Sequence, residues 1–147
     1  MRWGPNTTVA SIIQNKNKFL MVEENTPDGI KINHPAGHLE KNETLLEATI
    51  RETLEETGYK YEPESIVGIY KWLNPKNNIT YIRYTFTGSK FKKENQTLDE
   101  NIIRPLWLTY NEIFLKRDIH RSPLVVISLV DYLKDKRFPL NIINELQ

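Results

Sequence analysis

The chain has 147 residues, 20 Lys+Arg against 19 Asp+Glu, a formal net charge of +1, no cysteine, and 39% of its residues in the hydrophobic class. A chain of this length is one domain's worth and buries about 70% of its unfolded surface without covalent staples. The lack of cysteine excludes a disulfide framework, thiolate metal sites and a cysteine nucleophile, which leaves oxygen and imidazole for chemistry. The near-zero charge balance argues against a dedicated nucleic-acid binder, whose footprint is strongly basic. No apolar run approaches the ~20 residues that span a bilayer. A soluble, cytoplasmic protein without membrane or nucleic-acid partners is expected.

In chain order, Thr7 to Ile13 and Lys18 to Glu23 read as strands rich in Val, Ile and Phe, separated by a polar turn. Thr26-Pro27-Asp28-Gly29 is a turn by composition, and a short strand from Ile30 to Asn33 leads into a second turn, Pro35-Ala36-Gly37-His38. Leu45 to Thr57 reads as a helix: Thr44-Leu45-Leu46-Glu47 fits a capping box, no proline interrupts, and Gly58 stands where a left-handed cap belongs. Ile66 to Trp72 and Ile79 to Thr87 form an expected antiparallel pair across Asn74-Pro75-Lys76-Asn77. A polar segment from Lys90 to Asn101 precedes a strand from Ile102 to Leu108. Thr109-Tyr110-Asn111-Glu112 is a second capping box opening a short helix. Ser122-Pro123 opens the last helix, where proline's missing N–H costs nothing, and Lys134, Lys136 and Arg137 suit its negative end. Strands, helix, strands, helices predict an α/β fold with a mixed sheet covered on both faces.

The charge is unevenly placed. Residues 40 to 58 hold six acids and two bases, −4 against +1 for the whole chain, so the remainder carries +5. At 100° per residue, with Glu52 at 0°, Glu55 falls near 300° and Glu56 near 40°. The three carboxylates share one arc, set roughly opposite a stripe of Leu46, Ile50, Thr53, Leu54 and Thr57. Such an arc is either a solvated acidic face or a partial ligand set for a hard divalent cation, which takes carboxylate oxygens and completes its shell with phosphate and water.

Gly37, Glu43 and the run Arg51-Glu52-Thr53-Leu54-Glu55-Glu56-Thr57-Gly58-Tyr59 stand at spacings that resemble the 23-residue box of the Nudix family, spanning residues 37 to 59. Thr53 and Tyr59 depart from its aliphatic positions, which are packing positions. The strings Pro35-Ala36-Gly37-His38-Leu39-Glu40, Lys71-Trp72, Leu98-Asp99-Glu100, Trp107-Leu108-Thr109 and Arg121-Ser122-Pro123-Leu124-Val125 extend the resemblance toward a phosphatase branch of that family. The resemblance implies a Nudix fold over residues 1–147, an α/β/α sandwich with a mixed β-sheet and a loop-helix-loop catalytic motif. It implies hydrolysis of a diphosphate linkage in a small molecule with Mg2+, or Mn2+ as a substitute.

By the same resemblance Glu52, Glu55 and Glu56 match the metal-binding glutamates and Arg51 an arginine that orients a catalytic glutamate. Glu43 matches a glutamate supporting the loops, and Gly37 and Gly58 match the two turn glycines. Glu55 or Glu56 is the first choice of general base, with Asp99 and Glu100 in the loop before the Ile102 strand as alternatives. Trp72 is a core residue or a stacking platform for a ring, Arg83 a surface arginine or a phosphate contact, and His38 a donor to phosphate. His34 is read as incidental, and His120 and Arg121 precede a helix start that can hold an anion. The branch implies thiamine-pathway pyrophosphates (hydroxymethylpyrimidine diphosphate, thiamine diphosphate) and nucleoside di- and triphosphates as substrates, with phosphate released, by a monomer or homodimer. Other specificities (an oxidised nucleotide, ADP-ribose, a dinucleoside polyphosphate) and a catalytically inactive binding module stand as alternatives.

Overall fold

The computed structural model describes residues 1–146. Strand β1 (Asn6–Ile12) turns through β2 (Gln14–Asn15) into β3 (Lys18–Thr26), and β4 (Gly29–Asn33) returns antiparallel along β3. The Pro35–His38 segment, expected as a turn, contains strand β5 (Ala36–His38), antiparallel to β1. The edge of β1 would otherwise expose unpaired amides, and Ser11 N–H donates to the Pro35 carbonyl at 3.0 Å to begin this pairing. Helix α1 (Leu45–Thr57) follows, then β6 (Tyr59–Tyr61), β7 (Ser65–Asn74), β8 (Ile79–Thr87), β9 (Phe91–Lys93) and β10 (Ile102–Thr109). Helices α2 (Tyr110–Leu115) and α3 (Leu124–Leu133) and a short strand β11 (Phe138–Pro139) complete the order.

The strands form two main sheets. One is mixed and five-stranded, in the order β11-β7-β8-β1-β5, with β1 and β8 parallel and its other pairs antiparallel. The other is antiparallel and centres on β3, which pairs with β10, β2 and β4. Strands β1 and β3, joined through β2, therefore belong to different sheets, a division that periodicity does not encode. Strand β9 lies in the segment expected to be merely polar, where it pairs with β6.

Three apolar clusters join these layers. Ile12, Met21, Ile32, Val67, Val125 and Leu129 pack between the sheets and α3, and Val9, Ile66 and Phe86 pack under Leu45 and Ala48 of α1. Ile13, Leu20 and Tyr61 fill the space near the C-terminal half of α1, with Ile50, Tyr59 and Trp107 against them. Helices thus cover both faces, and the fold is the expected α/β arrangement. Pro123 stands at the N-cap of the last helix, one residue ahead of the expected first helical position, and Ser122 Oγ accepts from Leu124 N–H at 3.1 Å just outside it. Among the described residues no helix is long and apolar enough to cross a membrane.

Helix α1 has the caps its sequence predicts. Thr44 and Glu47 exchange both capping-box bonds, and Gly58 adopts φ 78°. Its buried arc differs from the expected stripe. Leu45, Ala48, Thr49, Thr53, Glu56 and Thr57 are buried, whereas Leu46, Ile50 and Leu54 are only partly so. The acidic arc therefore overlaps the buried face instead of opposing it. Besides its apolar contact with Val9, Ile66 and Phe86, the helix bonds its strands through hydroxyls: Ser11 Oγ of β1 and Thr53 Oγ1 lie 2.7 Å apart, and Thr49 Oγ1 and the Tyr61 hydroxyl of β6 2.6 Å apart. A threonine at an aliphatic position of the family box is accounted for by this contact. Tyr59, the other departure, packs edge-on to Trp107 and accepts from its indole N–H at 3.3 Å.

Candidate active site

Strand β5 and helix α1 bring the box residues together. Gly37 lies opposite Val9 in the sheet, and a Cβ built on it would fall on the Glu52 carboxylate. The close approach of backbone to carboxylate thus requires glycine. One residue earlier, Ala36 N–H donates to Glu56 Oε1 at 2.9 Å. Glu56 is only 6% exposed. Burial pushes its pKa up to about 9 against the pull of that amide, and the charges of Glu24, Glu52 and Asp99 push the same way. Burial also raises the Glu52 pKa, with Arg51 opposing.

The loop before β10 supplies a third acid. Asp99 N–H donates to the Glu55 carbonyl at 2.9 Å, which ties the loop to α1. One carboxylate oxygen from each of Glu52, Glu56 and Asp99 lies within 4.8 Å of the others. Glu55 is outside this group, with its carboxylate 3.2 Å from Arg51 Nη1. Glu100, the neighbour of Asp99, is exposed and also outside it. Sequence spacing favoured Glu55 because it considered one helix alone. A loop distant in sequence is invisible to a helical wheel, although Asp99 was within the stretch proposed for the base.

Arg51 organises the outer side of the cluster. Its Nε and Nη2 bond Glu43 at 2.9 and 2.7 Å, its Nη1 bonds Glu52 at 2.7 Å, and its Nη2 also donates to the His38 carbonyl at 3.0 Å. The paired fork holds the Glu43 carboxyl below the usual range. Among the described residues no basic side chain lies within ion-pair distance of Glu56 or Asp99. Three converging carboxylates, one buried and without a counter-charge, fit a hard divalent cation: the missing positive charge is what the cluster lacks.

The remaining candidates lie on the face of the mixed sheet opposite α1. The register sets Tyr70, Arg83, Thr8 and His38 in one row and Trp72 and Tyr81 in the next. Trp72 is part-buried and stacks on Tyr81 with centroids 6.1 Å apart and planes at 24°. His38 is exposed, its ring 6.3 Å from that of Tyr81. Tyr81 escaped the sequence reading because its value comes from standing between these two. His34 is buried, with Nε2 bonded to the Val125 carbonyl at 2.9 Å, and His120 Nε2 bonds the Ile113 carbonyl at 2.8 Å. Both imidazoles tie loops to helices.

A NUDIX domain model matches residues 4–128. The chain belongs to the Nudix family. The phosphatase NudJ of Shigella boydii is 37% identical over 142 residues, 96% of this chain and 92% of that protein, and the phosphatase NudJ of Escherichia coli K12 is 35% identical over the same shares. A NUDIX hydrolase from Nitrosomonas europaea has 44% identity and a TM-score of 0.93, covering 97% of this chain and 98% of that one. A UDP-X diphosphatase structure, 16% identical with a TM-score of 0.74 over 95% of this chain and 68% of that chain, shares the Nudix fold. Within the family this chain is NudJ-like, a Nudix hydrolase of phosphorus-containing anhydrides.

Proposed function

We propose that this Nudix hydrolase is a Mg2+-dependent phosphatase that removes orthophosphate from small molecules ending in a diphosphate, with thiamine-pathway pyrophosphates and nucleoside di- and triphosphates as its substrates. The observation that carries the reading is the convergence of Glu52, Glu56 and Asp99 beside Gly37 of β5. Relatives named as NudJ phosphatases, matched over 96% of this chain and 92% of their own length, support the phosphatase reading.

Glu52, Glu56 and Asp99 would hold the ion, Mg2+ or Mn2+, which supplies charge neutralisation at the phosphoryl oxygens and acidification of water. Glu55, free of that group and anchored by Arg51, is the general base. Its carboxylate takes a proton from the attacking water as the new O–P bond forms and the bridging P–O bond breaks, and the bridging oxygen leaves with the organic group. Arg51 keeps Glu55 aimed and, through Glu43, keeps the loop ahead of α1 in place. Arg83 meets a phosphate, the Trp72–Tyr81 pair offers a flat ring its face, and His38 flanks that platform.

The test is phosphate release from thiamine diphosphate, hydroxymethylpyrimidine diphosphate, GDP, GTP, an 8-oxo nucleotide and ADP-ribose, with Mg2+ and with chelator. Orthophosphate from the diphosphates, abolished by chelator, is expected. Pyrophosphate from triphosphates alone would overturn the reading. Glu55→Gln should lower kcat roughly 10²- to 10⁴-fold, the range for a general base.

A further inference from the structure

Two tyrosines in neighbouring rows of the mixed sheet use their hydroxyls in opposite ways. Tyr70, on β7 across from Arg83, donates its proton to Asp131 Oδ2 at 2.7 Å. Tyr81, on β8 across from Trp72, receives a hydrogen bond instead: Asn77 Nδ2 donates to its hydroxyl oxygen at 3.0 Å. Among the described residues no acceptor takes the Tyr81 proton. That hydroxyl is anchored and still has a donor to offer.

The turn between β7 and β8 sets the direction of the anchoring bond. Asn74 Oδ1 accepts from Lys76 N–H at 2.9 Å and the Asn74 carbonyl from Asn78 N–H at 2.8 Å, which shapes the tip. Asn77 Oδ1 then accepts from Ile79 N–H at 2.9 Å. A backbone amide only donates, so it decides which end of the Asn77 side chain is oxygen and leaves the NH2 for Tyr81. A phenolic O–H lies close to the ring plane on one side or the other. The Asn77 amide holds one side, so the proton takes the opposite one.

Tyr81 is also the middle ring of the aromatic row. Trp72 stacks on it with centroids 6.1 Å apart and planes at 24°, and the His38 ring stands 6.3 Å away at 60°. A ring laid on this surface gains from stacking whatever its substituents. A hydroxyl at the border discriminates, because a site that offers a hydrogen bond penalises a ring that cannot accept it.

We propose that Tyr81 determines specificity by donating its hydroxyl proton to an acceptor on the rim of the substrate's ring, and that Asn77 is its positioning residue, holding the hydroxyl from the other side. This rests on the hydrolase reading above, in which a flat ring lies on Trp72 and Tyr81, and adds the atom that reads the ring. The acceptor that fits is a ring nitrogen or an exocyclic carbonyl of a heteroaromatic ring. A hydrocarbon ring would stack as well and leave the hydroxyl unpaired.

The experiment compares GDP, whose ring carries acceptors, with benzyl diphosphate, which has the same free-ended diphosphate on a ring that carries none. In the wild type kcat/KM favours GDP. Tyr81→Phe retains the ring and should reduce that preference about 3- to 10-fold, the worth of one uncharged hydrogen bond, through KM for GDP and not kcat. Asn77→Asp is the sharper variant. Its carboxylate still accepts from Ile79 N–H but can only accept from Tyr81, so it consumes the proton that the ring would use. The preference should fall as far as in Tyr81→Phe, and the double variant should fall no further. A purely structural Asn77 predicts no change in Asn77→Asp, since the turn bond survives, and a purely structural Tyr81 predicts equal losses on both substrates. Either result in a folded protein overturns the proposal. Circular dichroism reports folding, and each variant decides the point if the other unfolds. Calorimetric binding of GDP with chelator present gives a readout without turnover: Tyr81→Phe should bind about 3- to 10-fold more weakly, and equal binding overturns the hydroxyl's role. Wild-type protein that binds GDP but hydrolyses neither substrate would sink the hydrolase reading, while the binding comparison still decides that role.

Discussion

Gly37 shows at residue scale how a spacing in the sequence becomes a steric demand. Any side chain there would occupy the space of the Glu52 carboxylate. Gly37→Ala is therefore expected to retain the fold and lose about 10- to 100-fold in metal affinity and in kcat/KM, the usual cost of disturbing a ligand's support. Titration of Mg2+ against activity checks this, and wild-type affinity would count against the assignment of Glu52. His34 gives a second residue-scale prediction. Burial lowers its pKa to about 4, although the Val125 carbonyl bond favours the protonated ring. Between pH 6.5 and 4 the unfolded chain binds the extra proton and the folded chain does not, so stability falls as pH falls through that window. The loss reaches about 3 kcal/mol at its limit. His34→Gln, which retains an N–H donor for Val125, should flatten this limb in urea melts between pH 7 and 4.5. Parallel curves for the two proteins would refute it.

Helix α1 was legible at element scale because its signals are local. The capping box, the glycine cap and the carboxylate spacing all act within a few residues. Which arc it buries was not legible, since its partner on β1 presents Ser11 where a hydrocarbon neighbour would match an apolar stripe. That contact makes a clear prediction. Ser11→Ala strands the buried Thr53 hydroxyl and should cost about 1–3 kcal/mol. Adding Thr53→Val removes the stranded group, so the double variant should be no less stable than Ser11→Ala alone. Chemical denaturation of the three variants tests the point, with simple addition of the two losses as the contrary result.

For the whole molecule, a cation held by the clustered acids would couple ion binding to stability. A cation at 100 times its Kd adds about 2.7 kcal/mol if it binds only the folded chain. For a domain of this size that is roughly a 5–10 °C rise in melting temperature. Thermal melts with Mg2+, Mn2+ and chelator measure it, and a melting temperature indifferent to all three would argue against the site. The tail participates at the same scale. Glu145 accepts from Leu45 N–H at 2.9 Å at the first turn of α1, and β11 pairs with β7, so the C-terminal segment fastens the helix that carries the site. Nothing local in the tail sequence announces this.

The amino-acid sequence alone determined helix α1, its caps and the ladder of carboxylates, because these depend on neighbours three or four residues away. The tertiary structure decided that Glu56 is buried and that Asp99 joins Glu52 and Glu56 while Glu55 remains apart. Those relations join residues far apart in the chain, and they are set by sheet register and loop path, which arise only when all the elements pack at once.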